Sequence, residues 1–214
     1  ILAQAFFLTP LYLKTIGQSL YGSWLAISNI LSWVALVDPG IFRITSQRIS
    51  VQYAVSNRAA MGKTLSEALA LSITLSVIPL TFLLFTNWPG TFFPLSPSEQ
   101  TEISHACTFS LISMALLFIE APIGALTNGM HRVLTLGAIQ LSSQLTLLLT
   151  TAYCLLLAGW GLSALPFGLL ARGVVSLSLL IFAQLITKDG IQNLRIRLWG
   201  SKGFFSDTTD FKAG

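Results

Sequence analysis

Three ionisable side chains stand inside long apolar stretches of this chain, and any chemistry it performs has to be sought there first: Asp38, Glu120 and Arg172. A charge within hydrocarbon is costly and persists only beside a polar partner or a wet cavity, so each marks a candidate site. Asp38 occurs in Val37-Asp38-Pro39-Gly40. Either it is the solvated exit turn of a short helix, or it is a cavity-facing acid where a longer helix breaks locally and continues through Ile41-Phe42-Arg43. Glu120 ends an uncharged run from Phe109 and precedes Ala121-Pro122-Ile123-Gly124. The proline frees backbone carbonyls close by, as happens where a helix bends around a polar cavity; the bland alternative is a paired, non-titrating structural acid. Arg172 lies too deep in its apolar run to snorkel to a surface. It forms an ion pair with Glu120 or Asp38, or it offers a planar guanidinium to an anionic headgroup such as a phosphate. Gln140 and Gln144, with Gln4, Asn29 and Gln184, are either partners for sugar hydroxyls or glue between helices.

Other chemistries have no residues to carry them. The chain contains no phosphate-binding glycine loop, no dinucleotide fingerprint, no HExxH and no GxSxG. Its two histidines, His105 and His131, fall at the edges of apolar runs. Cys107 and Cys154 lack any metal or redox spacing and read as small buried hydrophobes. The expectation is therefore no metal, no cofactor and no enzymatic activity. The net charge of +4 is assigned to membrane-flanking loops and not to nucleic acid.

The elements that must position these residues follow from hydropathy. With 53% hydrophobic and 9% charged residues, the chain reads as an all-α membrane protein, since about 20 apolar residues span a bilayer. Six apolar segments can be drawn. The first, to about residue 13, looks like the second half of a spanning helix and ends at the polar turn Lys14-Thr15-Ile16-Gly17-Gln18. The others run at about 21–43, 65–85, 104–128, 134–158 and 162–186, separated by turn-forming residues such as Asn87-Trp88-Pro89-Gly90 and Gly159-Trp160-Gly161. Pro79, Pro122 and Pro166 lie inside segments, where neighbouring helices can satisfy the freed backbone groups.

Charge then orients the bundle. Arg43, Arg48, Arg58 and Lys63 cluster in a loop at 44–64 and its edge, Arg132 lies in the 129–133 turn, and Lys188, Arg195, Arg197, Lys202 and Lys212 follow segment six, with Lys14 alone on the other side and Arg172 within the membrane. Such an asymmetry places those loops and the tail in the cytoplasm of a multi-pass protein. The tail, 187–214, reads as a short amphipathic helix at the headgroup layer, with Ile191, Leu194, Leu198 and Trp199 near one face, and then loose polar sequence. The domain expectation is thus a six-span lobe over 1–186, its first helix incomplete, and a cytoplasmic tail over 187–214.

The order of motifs resembles a known family. Pro10-Leu11-Tyr12-Leu13-Lys14-Thr15-Ile16-Gly17, then Tyr21-Gly22-Ser23-Trp24, then Leu36-Val37-Asp38-Pro39-Gly40 is similar to the amino-terminal signature of bacterial O-antigen and polysaccharide flippases, members of the multidrug/oligosaccharidyl-lipid/polysaccharide exporter superfamily. Leu126-Thr127-Asn128-Gly129-Met130-His131-Arg132 resembles that family's turn between helices four and five, and Gly159-Trp160-Gly161-Leu162 its entry to helix six. The resemblance implies one six-helix lobe of a twelve-helix exporter in the bacterial inner membrane. It implies an undecaprenyl-diphosphate-linked glycan as substrate, carried outward by alternating access, with Arg172 on the phosphate or glycan and Asp38 and Glu120 as cavity acids. The chain departs from the pattern in supplying one lobe only, so a carboxy-terminal lobe or a second copy is expected to complete the cavity. A drug or cation antiporter of the same superfamily, and a non-transporting membrane fragment, are the alternatives.

Overall fold

A computed structural model describes residues 9–10, 12–35, 40–85 and 96–186, and every element among them is helical. Residues 12–16 end a first helix. Six further helices follow: α1 (Gln18–Ala35), α2 (Ile41–Ala54), α3 (Arg58–Phe82), α4 (Pro97–Gly129), α5 (Val133–Leu156) and α6 (Ala164–Ile186), with single 3-10 turns at Leu83–Phe85 and Gly161–Ser163. Four stretches are long and apolar enough to cross a membrane: Arg58–Phe82, Pro97–Gly129, Val133–Leu156 and Gly161–Ile186. Asp38, Gln4 and the tail at 187–214 lie outside the described residues.

Two expectations from the sequence need correcting. The polar stretch 14–18 is not a loop: the helix runs on to residue 16, and Gly17 alone, at a φ of 88°, breaks the chain before α1. A left-handed backbone costs glycine nothing, so one residue suffices for the reversal. The basic loop expected at 44–64 is likewise mostly helix, formed by α2 and the start of α3. Gly40, at a φ of 82°, opens α2, whose Ile41, Thr45, Ser46 and Ile49 are buried while Arg43 and Gln47 are exposed. Hydropathy misses this helix because its buried stripe includes Thr and Ser, whose hydroxyls make it read as polar.

The third segment, expected at 65–85, begins a full two turns earlier than hydropathy suggests. Asn57 caps it, its Oδ1 accepting from the Ala60 backbone N–H at 3.1 Å. The turn between α2 and α3 then occupies only residues 55–57. Asn57→Ala should cost about 1 kcal/mol, lowering the melting midpoint of the purified protein by roughly 2–4 °C. Asn57→Ser should keep most of the stability, because a hydroxyl still satisfies the helix start. Equal losses in the two variants would show that the cap is not the cause.

Packing centres on α4. Its amino-terminal half carries Ile103, Ala106, Cys107 and Leu111 against Leu20, Trp24, Ile27 and Leu31 of α1. Its carboxy-terminal half carries Leu126 against Ile49 of α2 and Met61 and Leu65 of α3, and Ile123 meets Leu136 and Ile139 of α5 and Leu180 of α6. Glycines allow the closest approaches. A methyl group on Gly129 would lie 2.7 Å from Ile49 Cγ2 and 2.9 Å from the Ser46 carbonyl oxygen. One on Gly168 of α6 would overlap the Thr151 hydroxyl of α5. Small residues at crossings are how helices in lipid gain contact, since hydrocarbon outside is as apolar as the helix faces.

The two ends of the bundle differ in charge. At one end the α2–α3 and α4–α5 turns meet: Ser50 and His131 are hydrogen-bonded at 3.3 Å, and Tyr53 packs on the His131 ring. Arg58 opens α3 directly after the first turn, and Arg132 lies in the second. At the other end Ser96 and Glu99 form a capping box at the start of α4. One turn on, Glu102 accepts from the Leu162 backbone N–H at 3.4 Å, tying α4 to the start of α6.

Candidate functional site

Glu120 and Arg172 come together. Glu120 sits on α4 about six turns in from Pro97 and two and a half turns from Gly129, roughly 14 Å from that carboxy-terminal end at 1.5 Å per residue. Arg172 sits on α6 about 12 Å from Ala164 by the same measure. Close packing of α4 on α6 brings both side chains to the same two cavities. Pro122, buried two residues after Glu120, leaves the α4 ladder one donor short just where the acid projects.

The pair does not form a salt bridge. Glu120 Oε1 accepts a short hydrogen bond, 2.6 Å, from the Ser176 hydroxyl one turn beyond Arg172 on α6. Arg172 Nε is buried with no acceptor, and no ion pair to a carboxylate among the described residues engages its guanidinium. A guanidinium presents five N–H donors in a fixed fork. Its side chain is half-buried, and a buried charged donor without an acceptor carries a desolvation cost that no carboxylate among the described residues offsets.

The first cavity, about 240 Å³, lies between α1, α4 and α6. Trp24, Leu31, Leu165 and Leu169 make much of its wall. Three of its four serines spend their donors locally: Ser28 donates to the Leu25 carbonyl, Ser32 to Asn29 and Ser113 to Phe109, all within their own helices, while Ser110 also lines the space. The second cavity, about 280 Å³, lies between α2, α4 and α5 and is lined by Phe42, Phe118, Ala121, Gly124 and Gln140. Met114, Leu117, Glu120 and Arg172 belong to both walls, so they form the partition between the two spaces. Both cavities are partly open.

The other candidates separate. Gln140 lines the second cavity, its side-chain amide making no hydrogen bond among the described residues. Gln144, one turn on along α5, is half-buried and lines neither space. Gln184 holds helices together instead. It is fully buried, and its Nε2 donates to Thr127 Oγ1 at 2.8 Å, joining α6 to α4. Asn29 is exposed.

One acid escapes sequence reasoning. Glu67 on α3 has a side chain only 9% exposed, with Lys63 Nζ at 3.9 Å. A span drawn from residue 65 makes Glu67 look like a boundary charge. The Asn57 cap, directly after Val55-Ser56, is the signal that α3 starts earlier and carries Glu67 inward. Among the described residues no cluster of His, Cys, Asp or Glu could hold a metal ion.

No family model, no curated protein and no solved structure matches this chain.

Proposed function

We propose that this chain is the amino-terminal six-span lobe of a transporter that moves a lipid-linked oligosaccharide across the bacterial inner membrane by alternating access. The single observation that carries the reading is the Arg172 guanidinium, unengaged by any carboxylate among the described residues and facing two cavities at membrane depth beside Glu120. A diphosphate-linked glycan presents an oxyanion that matches a guanidinium fork bidentately. Hydroxyls next to it find the Gln140 amide and the Glu120 carboxylate. Four helices of spanning length and composition supply the membrane setting. In the proposed arrangement the helix ending at residue 16 and the broken pair α1–α2 contribute the remaining two crossings.

The end of the bundle carrying Arg58 and Arg132 is assigned to the cytoplasm, following the preference of Lys and Arg for that side. A carboxy-terminal lobe or a second copy would close the open side of both cavities. No bond-making step is assigned to the chain; its work is binding and reorientation.

The test is surface glycan display in cells that depend on this protein as their translocase. Arg172→Ala should abolish display at unchanged protein level, and Arg172→Lys should keep a fraction of it, since an ammonium preserves charge but not the fork. Normal display with Arg172→Ala overturns the reading. Efflux of a cationic dye that needs Glu120 while glycan display is unaffected would move the assignment to a cation antiporter.

A further inference from the structure

We propose that the partition formed by Glu120 and Arg172 holds the phosphate of an amphiphile astride the two cavities, with its hydrocarbon chain in the first and its polar group in the second. This assignment rests on the translocation reading and adds to it a location for each part of the substrate.

The asymmetry of the two spaces supports it. In the first cavity the hydroxyls of Ser28, Ser32 and Ser113 are spent on carbonyls of their own helices. Ser110 lines the same space, and Trp24, Leu31, Leu165 and Leu169 make the larger, apolar part of its wall. A polar guest there would lose water and find few replacements, whereas an alkyl or isoprenoid chain loses nothing. The second cavity offers the free Gln140 amide. Between them, Arg172 Nε is buried and without an acceptor, and Glu120 is held back by Ser176 at 2.6 Å instead of closing on the guanidinium. An anion whose two substituents differ in polarity fits this sequence of environments in one direction only. A free inorganic phosphate would use the partition but leave both cavities without a guest.

The experiment uses the purified protein in a neutral maltoside micelle, with a dodecyl phosphate brominated along its chain as the probe. Bromine quenches indole on contact, and Trp24 lines the first cavity. We expect saturable quenching that Trp24→Phe removes in large part, with apparent affinity falling at least tenfold in Arg172→Ala. Brominated dodecanol should bind at least tenfold more weakly than the phosphate, and inorganic phosphate should compete only at far higher concentration. Ser113→Leu and Ser28→Leu fill the first cavity from opposite walls. Each should weaken the dodecyl probe at least fivefold; using both guards against one variant failing to fold.

Quenching that is unchanged by Trp24→Phe overturns the proposal, as does inorganic phosphate competing as well as the alkyl phosphate. Loss of glycan display in Arg172→Ala without Trp24-dependent quenching would end this inference and leave the translocation reading standing. Trp24-dependent quenching with normal display in the same variant would do the reverse.

Discussion

Gly129→Leu is expected to destabilise the protein by more than about 3 kcal/mol, the upper range for overpacking, and to remove most of it from the membrane fraction. Gly129 is the last residue of α4, where α4 crosses α2. Even a single methyl there would press on Ile49 and on the Ser46 backbone carbonyl, which cannot rotate away. The Asn128 amide, which donates to Ser46 Oγ at 2.8 Å, would be pushed off with it. Because the junction also carries the buried cluster of Ile49, Met61, Leu65 and Leu126, separation of α2 from α4 opens the end of the bundle where α2, α3 and α4 pack together. The internal control is Gly137 on α5, around which a Cβ meets nothing within 4 Å. Gly137→Leu exposes its side chain to the surroundings and should melt within roughly 2–4 °C of the parent, whereas Gly129→Leu should melt at least about 10 °C lower. The measurement is the thermal midpoint of detergent-purified protein followed by size exclusion. Matching midpoints in the two variants would mean that the α2–α4 crossing is looser than described.

Arg172→Glu is the second change with a large expected effect. It brings two carboxylates to the partition between the cavities, and like charges in a partly desolvated space disfavour each other and the fold that holds them. The loss should exceed that of Arg172→Ala by about 1–3 kcal/mol, a typical coupling for residues in contact. Adding Glu120→Gln should recover most of this excess, because an amide removes the repulsion and can still accept from Ser176. Glycan display should stay absent in the double variant, since no guanidinium remains to engage a phosphate. Thermal midpoints of the parent, both single variants and the double variant give the coupling directly. Strict additivity would mean that Glu120 and Arg172 do not sense each other, and the shared cavity would lose its electrostatic basis.

Much of the helical content was legible in the sequence, for a physical reason. Segments at 134–158 and 162–186 match α5 and α6 closely, and the segment at 104–128 falls inside α4, which begins two turns earlier at Pro97, because lipid-facing helices must be apolar through the bilayer while a capped polar start is not. Exposed Leu141, Leu145 and Leu149 on α5 illustrate it: nothing in the fold buries them. Legibility failed where burial is polar. Thr45 and Ser46 are buried in α2 and Glu67 nearly so in α3, yet hydropathy counts all three as surface. The site was legible only as a pair of residue types. That Glu120 and Arg172 were candidates came from their isolation in apolar runs. That they would meet without bonding did not.

The chain by itself determined a membrane composition, helical periodicity and the candidacy of Glu120 and Arg172, since each depends on local residue chemistry and on the thickness of a bilayer. Tertiary structure alone decided that Ser176, not Arg172, takes the Glu120 carboxylate, that Gln140 reaches a cavity while Gln144 does not, and that one partition serves two spaces. Those outcomes depend on how closely and at what rotation α4, α5 and α6 meet. Gly168 sets the approach of α6 to α5, and residues far apart in the chain settle it together.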